Sequence, residues 1–186
     1  MRNSTLAQLM PSFRTTRLWV QHWHFALDTD ADELALSKAL VPVLTPAVLK
    51  HLPPSMQVEQ KSEEILNWMN ARAAESDVYS IFHQQTEALV GLLILVEEQE
   101  FDPIQKVHLG YLLAEHEWGK GYASELINGL LLALQKLAPI RLIGGVAVDN
   151  FASAHVLKKA GFSLDSSQSD DETEVYSVAI DKASAP

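Results

Sequence analysis

The feature that most constrains this fold is a glycine-rich turn placed between a strand pattern and an apolar helix pattern. The segment "KVHLGYLLA" (106–114) is typical of a strand, and "ASELINGLLLALQKL" (123–137) has the apolar spacing of a helix. Between them lies "EHEWGKGY" (115–122), in which Gly119 and Gly121 flank one lysine. A turn of this kind lets backbone N–H groups approach an anion, often a phosphate. The alternative is an ordinary turn before a helix.

Two common phosphate-binding loops do not fit this segment. A P-loop requires lysine and then serine or threonine after its second glycine, whereas Tyr122 follows Gly121 here. A dinucleotide fingerprint requires a third glycine where this chain has Ser124, and it opens on the first strand of the fold. What remains is a loop whose successive N–H groups, from about Trp118 to Ser124, face an anion at a helix N-terminus.

The composition of the chain limits the kinds of molecule that it is expected to bind. The net charge is −10, from 14 basic and 24 acidic residues, and no run of lysine or arginine is present, which disfavours nucleic-acid binding. Negative charge suits a cationic substrate such as an amine, although it also promotes solubility. The absence of cysteine excludes a disulfide scaffold, a thiolate metal site and a cysteine nucleophile, and it is compatible with the cytoplasm.

The chain is expected to form one cytoplasmic domain over residues 1–186, without a membrane span. Its longest apolar run, 88–96, is far shorter than the roughly 20 residues that a spanning helix needs. Residues 1–13 and 181–186 are expected to be loose tails.

Periodicity predicts an alternating succession of strands and helices. Strands are predicted at 17–25, 77–83, 88–97, 106–114, 140–148 and 174–180, and helices at 30–40, 45–54, 62–74, 123–137 and 150–161. This order predicts a single α/β domain with a mixed, mostly antiparallel sheet of about seven strands flanked by helices.

Two segments carry a family resemblance. "LGYLLAEHEWGKGYASELI" (109–127) and "GGVAVDNFASAHVLKKAGF" (144–162) together resemble the GCN5-related N-acetyltransferase (GNAT) superfamily. Within it, the chain is most similar to the ribosomal-protein N-terminal acetyltransferase (Rim) type, and the order of elements matches over roughly residues 15–180. The family signature Q/R-x-x-G-x-G/A falls on 118–123, where Trp118 departs from glutamine or arginine.

The resemblance implies acetyl-CoA as the donor. Its pantetheine arm would pair with a strand edge at Leu112 and Leu113, which splays from 144–148 to leave a slot for the thioester. Asn150 matches a family asparagine near that arm, and it also reads as a helix cap. The pyrophosphate would sit on the loop backbone formed by Trp118, Gly119, Lys120, Gly121, Tyr122, Ala123 and Ser124.

The resemblance also proposes an acid for the departing thiolate. Many relatives carry a tyrosine at the position of Leu157, whereas the Rim type carries a serine at the position of Ser153. Ser153 is therefore the candidate proton donor, with water as the alternative. It would otherwise be a capping-box side chain. A backbone N–H near Leu113 would polarise the thioester carbonyl.

The general base is less determined by sequence. The candidates are His108 on the strand before the loop, Glu97 or Glu98 at the end of the preceding strand, and Glu172 in the last connection. Each of them is also consistent with a solvated surface residue. An α-amine has a pKa of about 7.7–8.0 and lysine about 10.4, so a site without a strong base suits an α-amine better.

Two other pairs of polar residues give weaker evidence of function. Lys158 and Lys159 would meet the adenosine 3′-phosphate or simply occupy a helix end. The side chains of His22 and His24 would project on one face of a strand, but without a third ligand no metal site is expected.

Three functions remain open at this point. The first is transfer of acetyl from acetyl-CoA, through a ternary complex, to a protein or peptide N-terminal α-amine. The second changes the acceptor to a polyamine, an antibiotic amine or an amino acid, and the third is a non-catalytic acyl-CoA-binding regulatory domain. The chain is expected to be a monomer or homodimer without a nucleic-acid or membrane partner. Its acceptor loops are expected at 39–60 and 163–174.

Overall fold

A computed structural model describes residues 5–10, 12–23, 27–98 and 104–181. They contain one 8-stranded sheet in the order β1-β2-β3-β4-β5-β6-β8-β7. The strands are β1 Ser12–Arg14, β2 Leu18–His22, β3 Asp77–His83, β4 Leu89–Glu97, β5 Gln105–Leu113, β6 Ile140–Ala147, β7 Ser163–Leu164 and β8 Thr173–Ile180. All neighbouring strands pair antiparallel except β5 and β6, which run parallel.

The helices begin where the sequence supplies capping side chains. Thr29 and Asp32 form a capping box at α2, Thr45 caps α3 with Pro46 at its first position, and Asn150 caps α6. The helices are α1 Thr5–Leu9, α2 Asp30–Leu40, α3 Pro46–Leu49, α4 Ser62–Glu75, α5 Tyr122–Leu134 and α6 Phe151–Lys159.

The helices cover the two faces of the sheet as separate layers. Side chains alternate across a strand, so Leu92 and Leu93 of β4 enter different cores. The core that contains Leu93 packs against α1, α5 and α6, and the core that contains Leu92 packs against α2, α3 and α4. We call these two sides of the sheet the α5–α6 face and the α2–α4 face.

The parallel pairing of β5 and β6 stops halfway along both strands. It runs from the Gln105–Ile140 pair to the His108–Ile143 pair. Beyond that point β5 continues in register with β4, and β6 continues in register with β8. Two strands that remain paired on their outer sides but not with each other enclose an open slot. The splayed pair expected from the family resemblance is therefore confirmed.

The sequence correctly predicted the fold class but missed three peripheral elements. The sheet has eight strands where about seven were expected, and β1 and the short β7 are the two that were not among the six strands placed along the sequence. The expectation of a loose leader at 1–13 is wrong for its described residues. Leu6 and Met10 are buried in the core on the α5–α6 face, and this burial holds α1 and β1 against the domain. The expected tail lies outside the described residues beyond Asp181.

Candidate acetyl-CoA site and active site

The slot exposes the backbone of alternate residues of β5. The Ala114 N–H donates to the Val90 carbonyl on the β4 side at 2.9 Å. Because the polar backbone groups of successive strand residues face opposite neighbours, those of Leu112 also face β4, and those of Tyr111 and Leu113 face the slot. The expected pairing of Leu112 with a pantetheine arm is thus corrected, since its backbone belongs to the β4 ladder. Leu113 remains a candidate, because its N–H faces the slot.

The glycine-rich loop holds a set of free amides at the start of α5. Gly119 and Gly121 have φ angles of 73° and 80°, which side-chain-bearing residues rarely adopt. Gly121 is the N-cap of α5, and no side chain caps this helix. Within the described ranges, no protein acceptor pairs with the amides of 119–124, although the Glu125 N–H bonds to the Gly121 carbonyl. Such a row of unpaired N–H groups at a helix N-terminus is suited to an anion.

Trp118 contributes to this loop in a way that the sequence did not indicate. Its backbone N–H is already used by the Glu115 carbonyl at 3.1 Å, so the free amides begin at Gly119. Its half-exposed indole instead donates from Nε1 to the Leu113 carbonyl at 2.8 Å. This bond fastens the loop to the end of β5. It also occupies the carbonyl of the same residue whose N–H faces the slot.

Asn150 and Ser153 occupy the first turn of α6 beside the slot. The Asn150 Oδ1 accepts from the Ser153 N–H at 3.1 Å, so the predicted cap is confirmed, and this cap leaves the amide donors of Asn150 unused. Ser153 does not complete a capping box, because the Asn150 N–H donates to the Ala147 carbonyl. Its hydroxyl oxygen instead accepts from the Tyr111 hydroxyl at 3.3 Å.

Tyr111 is a candidate site residue that sequence reasoning missed. Burial raises the pKa of this phenol, and the Ser153 hydroxyl offsets that effect only in part, so the phenol stays protonated at neutral pH. A hydroxyl oxygen that accepts from Tyr111 keeps its own proton free for another acceptor. The only signal in the sequence was an aromatic residue on the splayed strand.

Leu157, where many relatives carry tyrosine, is buried and only 1% exposed. A Cβ atom at Gly144 would lie 3.0 Å from its Cδ1 atom, so this leucine packs closely against the strand at the point where the slot opens. It has no proton to donate. The acid of the reaction must therefore be another group.

His108 forms the best-oriented candidate base. Its Nε2 lies 2.5 Å from Glu98 Oε1. The hydrogen bond with His108 lowers the pKa of Glu98 below its usual value, although burial acts in the opposite direction. A carboxylate that orients an imidazole is the usual arrangement of a general base. Because β5 side chains alternate, His108 lies on the α2–α4 face, opposite Tyr111.

The other expected bases have different surroundings. Glu97 accepts from the Leu6 N–H and from Gln105 Nε2, which ties it to α1 and the start of β5. Glu172 is exposed, and its backbone lies in the turn before β8, where its N–H bonds to Asp170 Oδ1 at 2.9 Å. The structure thus places neither carboxylate in an arrangement comparable to the His108–Glu98 pair.

The segment around α3 bridges the two loops that flank the slot. Thr45 donates a short hydrogen bond to Glu115, in the loop after β5. After α3, Lys50 and His51 contact Asp149, in the loop after β6, at 3.2 and 3.1 Å. The segment 45–51 therefore lies across the open end of the slot on the α2–α4 face, within the region expected to bind the acceptor.

Of the remaining polar pairs, Lys158 and His22 have structural partners. The ammonium of Lys158 lies 5.3 Å from the centre of the Tyr176 ring, and both Lys158 and Lys159 are exposed. The buried His22 lies 3.1 Å from Asp77, and His24 is outside the described residues. In the described part of the chain, no cluster of His, Cys, Asp or Glu is arranged to hold a metal ion. None of its helices has the length and apolar character needed to cross a membrane.

Comparison with known proteins agrees with this geometry. The acetyltransferase (GNAT) domain family matches residues 17–163, so the chain belongs to this family. No curated protein sequence matches it significantly.

Solved structures show the same fold at low sequence identity. A GNAT-family acetyltransferase from Bacillus anthracis superposes with a TM-score of 0.70 at 17% identity, covering 90% of this chain and 98% of that one. RimL, a ribosomal L7/L12 α-N-protein acetyltransferase in complex with coenzyme A, superposes with a TM-score of 0.69 at 20% identity, covering 92% of this chain and 99% of that one. An acetyltransferase from Agrobacterium tumefaciens superposes with a TM-score of 0.60 at 23% identity, covering 91% of this chain and 94% of that one.

Family membership defines the class of chemistry. The chain is an acetyl-CoA-dependent N-acetyltransferase of the GNAT type. In the RimL complex, coenzyme A is joined by a disulfide to a cysteine, whereas this chain contains no cysteine and cannot form such a bond.

Proposed function

We propose that this enzyme transfers the acetyl group of acetyl-CoA to the α-amine of a protein or peptide by direct attack in a ternary complex. The observation that carries the proposal is the arrangement around the slot. A candidate base, His108 with Glu98, lies on one face of the sheet, and a candidate acid, Ser153 with Tyr111, lies on the other. An amine that enters from one face and a thiolate that departs toward the other each meet a suitable group.

The donor would be held by backbone groups along the slot. Its pyrophosphate would accept hydrogen bonds from the amides of 119–124, at the positive end of the α5 dipole. Four or five bonds to charged oxygens, at about 1.5–3 kcal/mol each, are comparable with the roughly 8 kcal/mol of micromolar affinity before the entropic cost of association is subtracted. The Leu113 N–H would bond the thioester oxygen as negative charge develops on it. The amide group of Asn150 would donate to the pantetheine arm.

The proposed reaction has four linked changes. The neutral amine attacks the thioester carbonyl carbon and forms the C–N bond, and the C–S bond of the thioester breaks. His108 accepts the proton that the amine loses, while Glu98 holds the imidazole in place. Ser153 donates its proton to the departing sulfur, and Tyr111 holds the serine oxygen with its own hydroxyl hydrogen. Water then returns a proton to Ser153, and the protonated His108 gives the proton of the amine to the resulting hydroxide, so both side chains return to their starting states.

The α-amine acceptor is favoured by the pKa of the amine. An α-amine has a pKa of about 7.7–8.0 and lysine about 10.4, so a larger fraction of an α-amine is already neutral at pH 7 and able to attack. The net charge of −10 favours a cationic acceptor. The likeness to RimL, which acts on an α-amine, agrees with this choice.

The test is thiol release from acetyl-CoA, measured across peptides with free α-amines, polyamines, aminoglycosides and amino acids. The proposal expects the highest kcat/KM with a peptide α-amine. A peptide with an acetylated N-terminus and no lysine is the matched control, and it should give no release above hydrolysis. A small amine as the best acceptor would replace the α-amine proposal. Binding of acetyl-CoA without transfer to any amine would favour a regulatory domain.

A further inference from the structure

Arg17 connects the hairpin formed by β1 and β2 to the glycine-rich loop. Its Nε donates to Glu125 Oε2 at 2.6 Å, and its backbone N–H donates to Glu125 Oε1, also at 2.6 Å. Its Nη1 donates to the Lys120 carbonyl at 3.1 Å. Its guanidinium carbon lies 4.3 Å from the centre of the Tyr122 ring. The Arg17 side chain thus contacts three places: the glycine-rich loop at Lys120, the first residue of α5 at Tyr122, and the first turn of α5 at Glu125.

The carboxylate of Glu125 would otherwise oppose anion binding. It lies in the first turn of α5, next to the amides proposed to hold the pyrophosphate. Burial raises its pKa, but hydrogen bonds from Thr15 and Arg17, together with the arginine charge, lower it below its usual value, so it remains ionised. Because Arg17 lies directly against this charge, the pair presents little net negative charge to the loop.

The contact with the Lys120 carbonyl also fixes the direction of an amide. In a trans peptide the carbonyl and the following N–H point to opposite sides. With the Lys120 carbonyl held toward Arg17, the Gly121 N–H faces away from it, toward the side where an anion can approach. A Cβ atom at Gly121 would lie 3.6 Å from Arg17 Nη2, which is an ordinary contact distance, so this glycine is needed for its positive φ angle.

We infer that Arg17 is a positioning residue for the pyrophosphate of acetyl-CoA. It neutralises Glu125 and holds the Gly121 N–H toward the phosphate, without binding the phosphate itself. The inference rests on the proposed placement of acetyl-CoA on the loop. It adds Arg17 to the residues that act on the pyrophosphate, although Arg17 lies 108 positions before its partner Glu125 in the chain.

The test compares two donors that differ in the pyrophosphate. kcat/KM is measured with acetyl-CoA and with S-acetylpantetheine, which lacks the nucleotide and the pyrophosphate, at a fixed concentration of one amine. Arg17→Gln should lower kcat/KM for acetyl-CoA by about 10- to 100-fold, mainly through KM, since it affects bonds to a charged group. The value for S-acetylpantetheine should change by less than about 2-fold.

Two further variants separate the electrostatic role from folding. Arg14→Gln removes the same charge from the same hairpin, but Arg14 stacks on Trp19 at 4.6 Å and bonds to Gln84 instead of the loop, so both donors should keep their wild-type values. The double variant Arg17→Gln with Glu125→Gln also removes the opposing carboxylate. Its kcat/KM for acetyl-CoA should be at least about 3-fold higher than that of Arg17→Gln alone.

The outcomes distinguish this inference from the proposed site. If Arg17→Gln lowers kcat/KM equally for both donors, the arginine is only structural and the inference is overturned. Unchanged values for both donors overturn it as well. If wild-type enzyme uses S-acetylpantetheine as efficiently as acetyl-CoA, the proposed pyrophosphate site on the loop is itself wrong.

Discussion

Replacing Ser153 by alanine tests the proposed departure of the thiolate. A general acid usually contributes about 10²–10⁴ in rate, and water entering the vacated space recovers part of that, so kcat should fall by at least about 10-fold. The Kd of acetyl-CoA should stay near the wild-type value, because the proton is transferred only in the transition state. Ser153→Thr keeps the hydroxyl and is the matched control.

The size of the Tyr111 effect follows from its contact with Ser153. The hydroxyl oxygens are 3.3 Å apart, a long bond between neutral groups, so its loss should cost about 0.5–1 kcal/mol. Tyr111→Phe should therefore lower kcat by about 2- to 5-fold. In the absence of the Ser153 hydroxyl the tyrosine has no oxygen to hold, so the double variant should resemble Ser153→Ala within about 2-fold.

Two assays decide this prediction. Single-turnover thiol release gives the rate of the chemical step, and calorimetric titration gives the Kd of acetyl-CoA. Additive losses in the double variant would show that the two hydroxyls act separately. A Ser153→Ala enzyme with wild-type kcat and Kd would refute the acid role of this serine and assign the proton to water.

Three further predictions concern the loop, the base and the stability of the hairpin contact. Gly121→Val should abolish the rise in Tm on adding acetyl-CoA, whereas Gly161→Val, also at a positive φ, should lower Tm but keep that rise; equal loss of the rise in both variants would remove the loop from the site. His108→Gln should lower kcat/KM by at least about 10-fold at pH 7 and much less at pH 9.5, where an α-amine is already neutral, and an equal loss at both pH values would contradict its role as base. The pKa of Glu125 is lowered in the folded state, so its contribution to stability is present above its ordinary pKa of 4.5 and is lost as the pH falls through the lowered value. Wild-type Tm should accordingly fall more steeply than that of Glu125→Gln between pH 5 and pH 3, and parallel curves would contradict this linkage.

Local signals in the sequence were sufficient for most of the fold. The predicted helix at 30–40 coincides with α2, because Thr29 and Asp32 supply both halves of a capping box. The glycine-rich turn was also placed correctly, with two positive φ angles at Gly119 and Gly121. By contrast, α1 is only 5 residues long and depends on burial of Leu6 in the core, which periodicity in so short a segment does not reveal.

The candidate site was less predictable, because its contacts join distant parts of the chain. The Tyr111–Ser153 bond spans 42 positions, and no local pattern indicates which side chain a strand residue will meet. His108 was a candidate from its place near the loop, but its partner Glu98 was fixed only by the register of β4 and β5. The assignment of Leu112 to the slot failed because that register also decides which backbone groups face β4.

Transfer to an α-amine is tested by comparing two matched peptides, one with a free N-terminus and no lysine, the other with a blocked N-terminus and one lysine. kcat/KM is measured for both across pH and salt concentration. We predict that the α-amine peptide is preferred at pH 7 and that its kcat/KM rises to a plateau near pH 8. The same kcat/KM should fall as salt screens the charges of the acidic enzyme over about 8–10 Å. A lysine peptide that is preferred at pH 7, with no dependence on salt, would contradict this prediction.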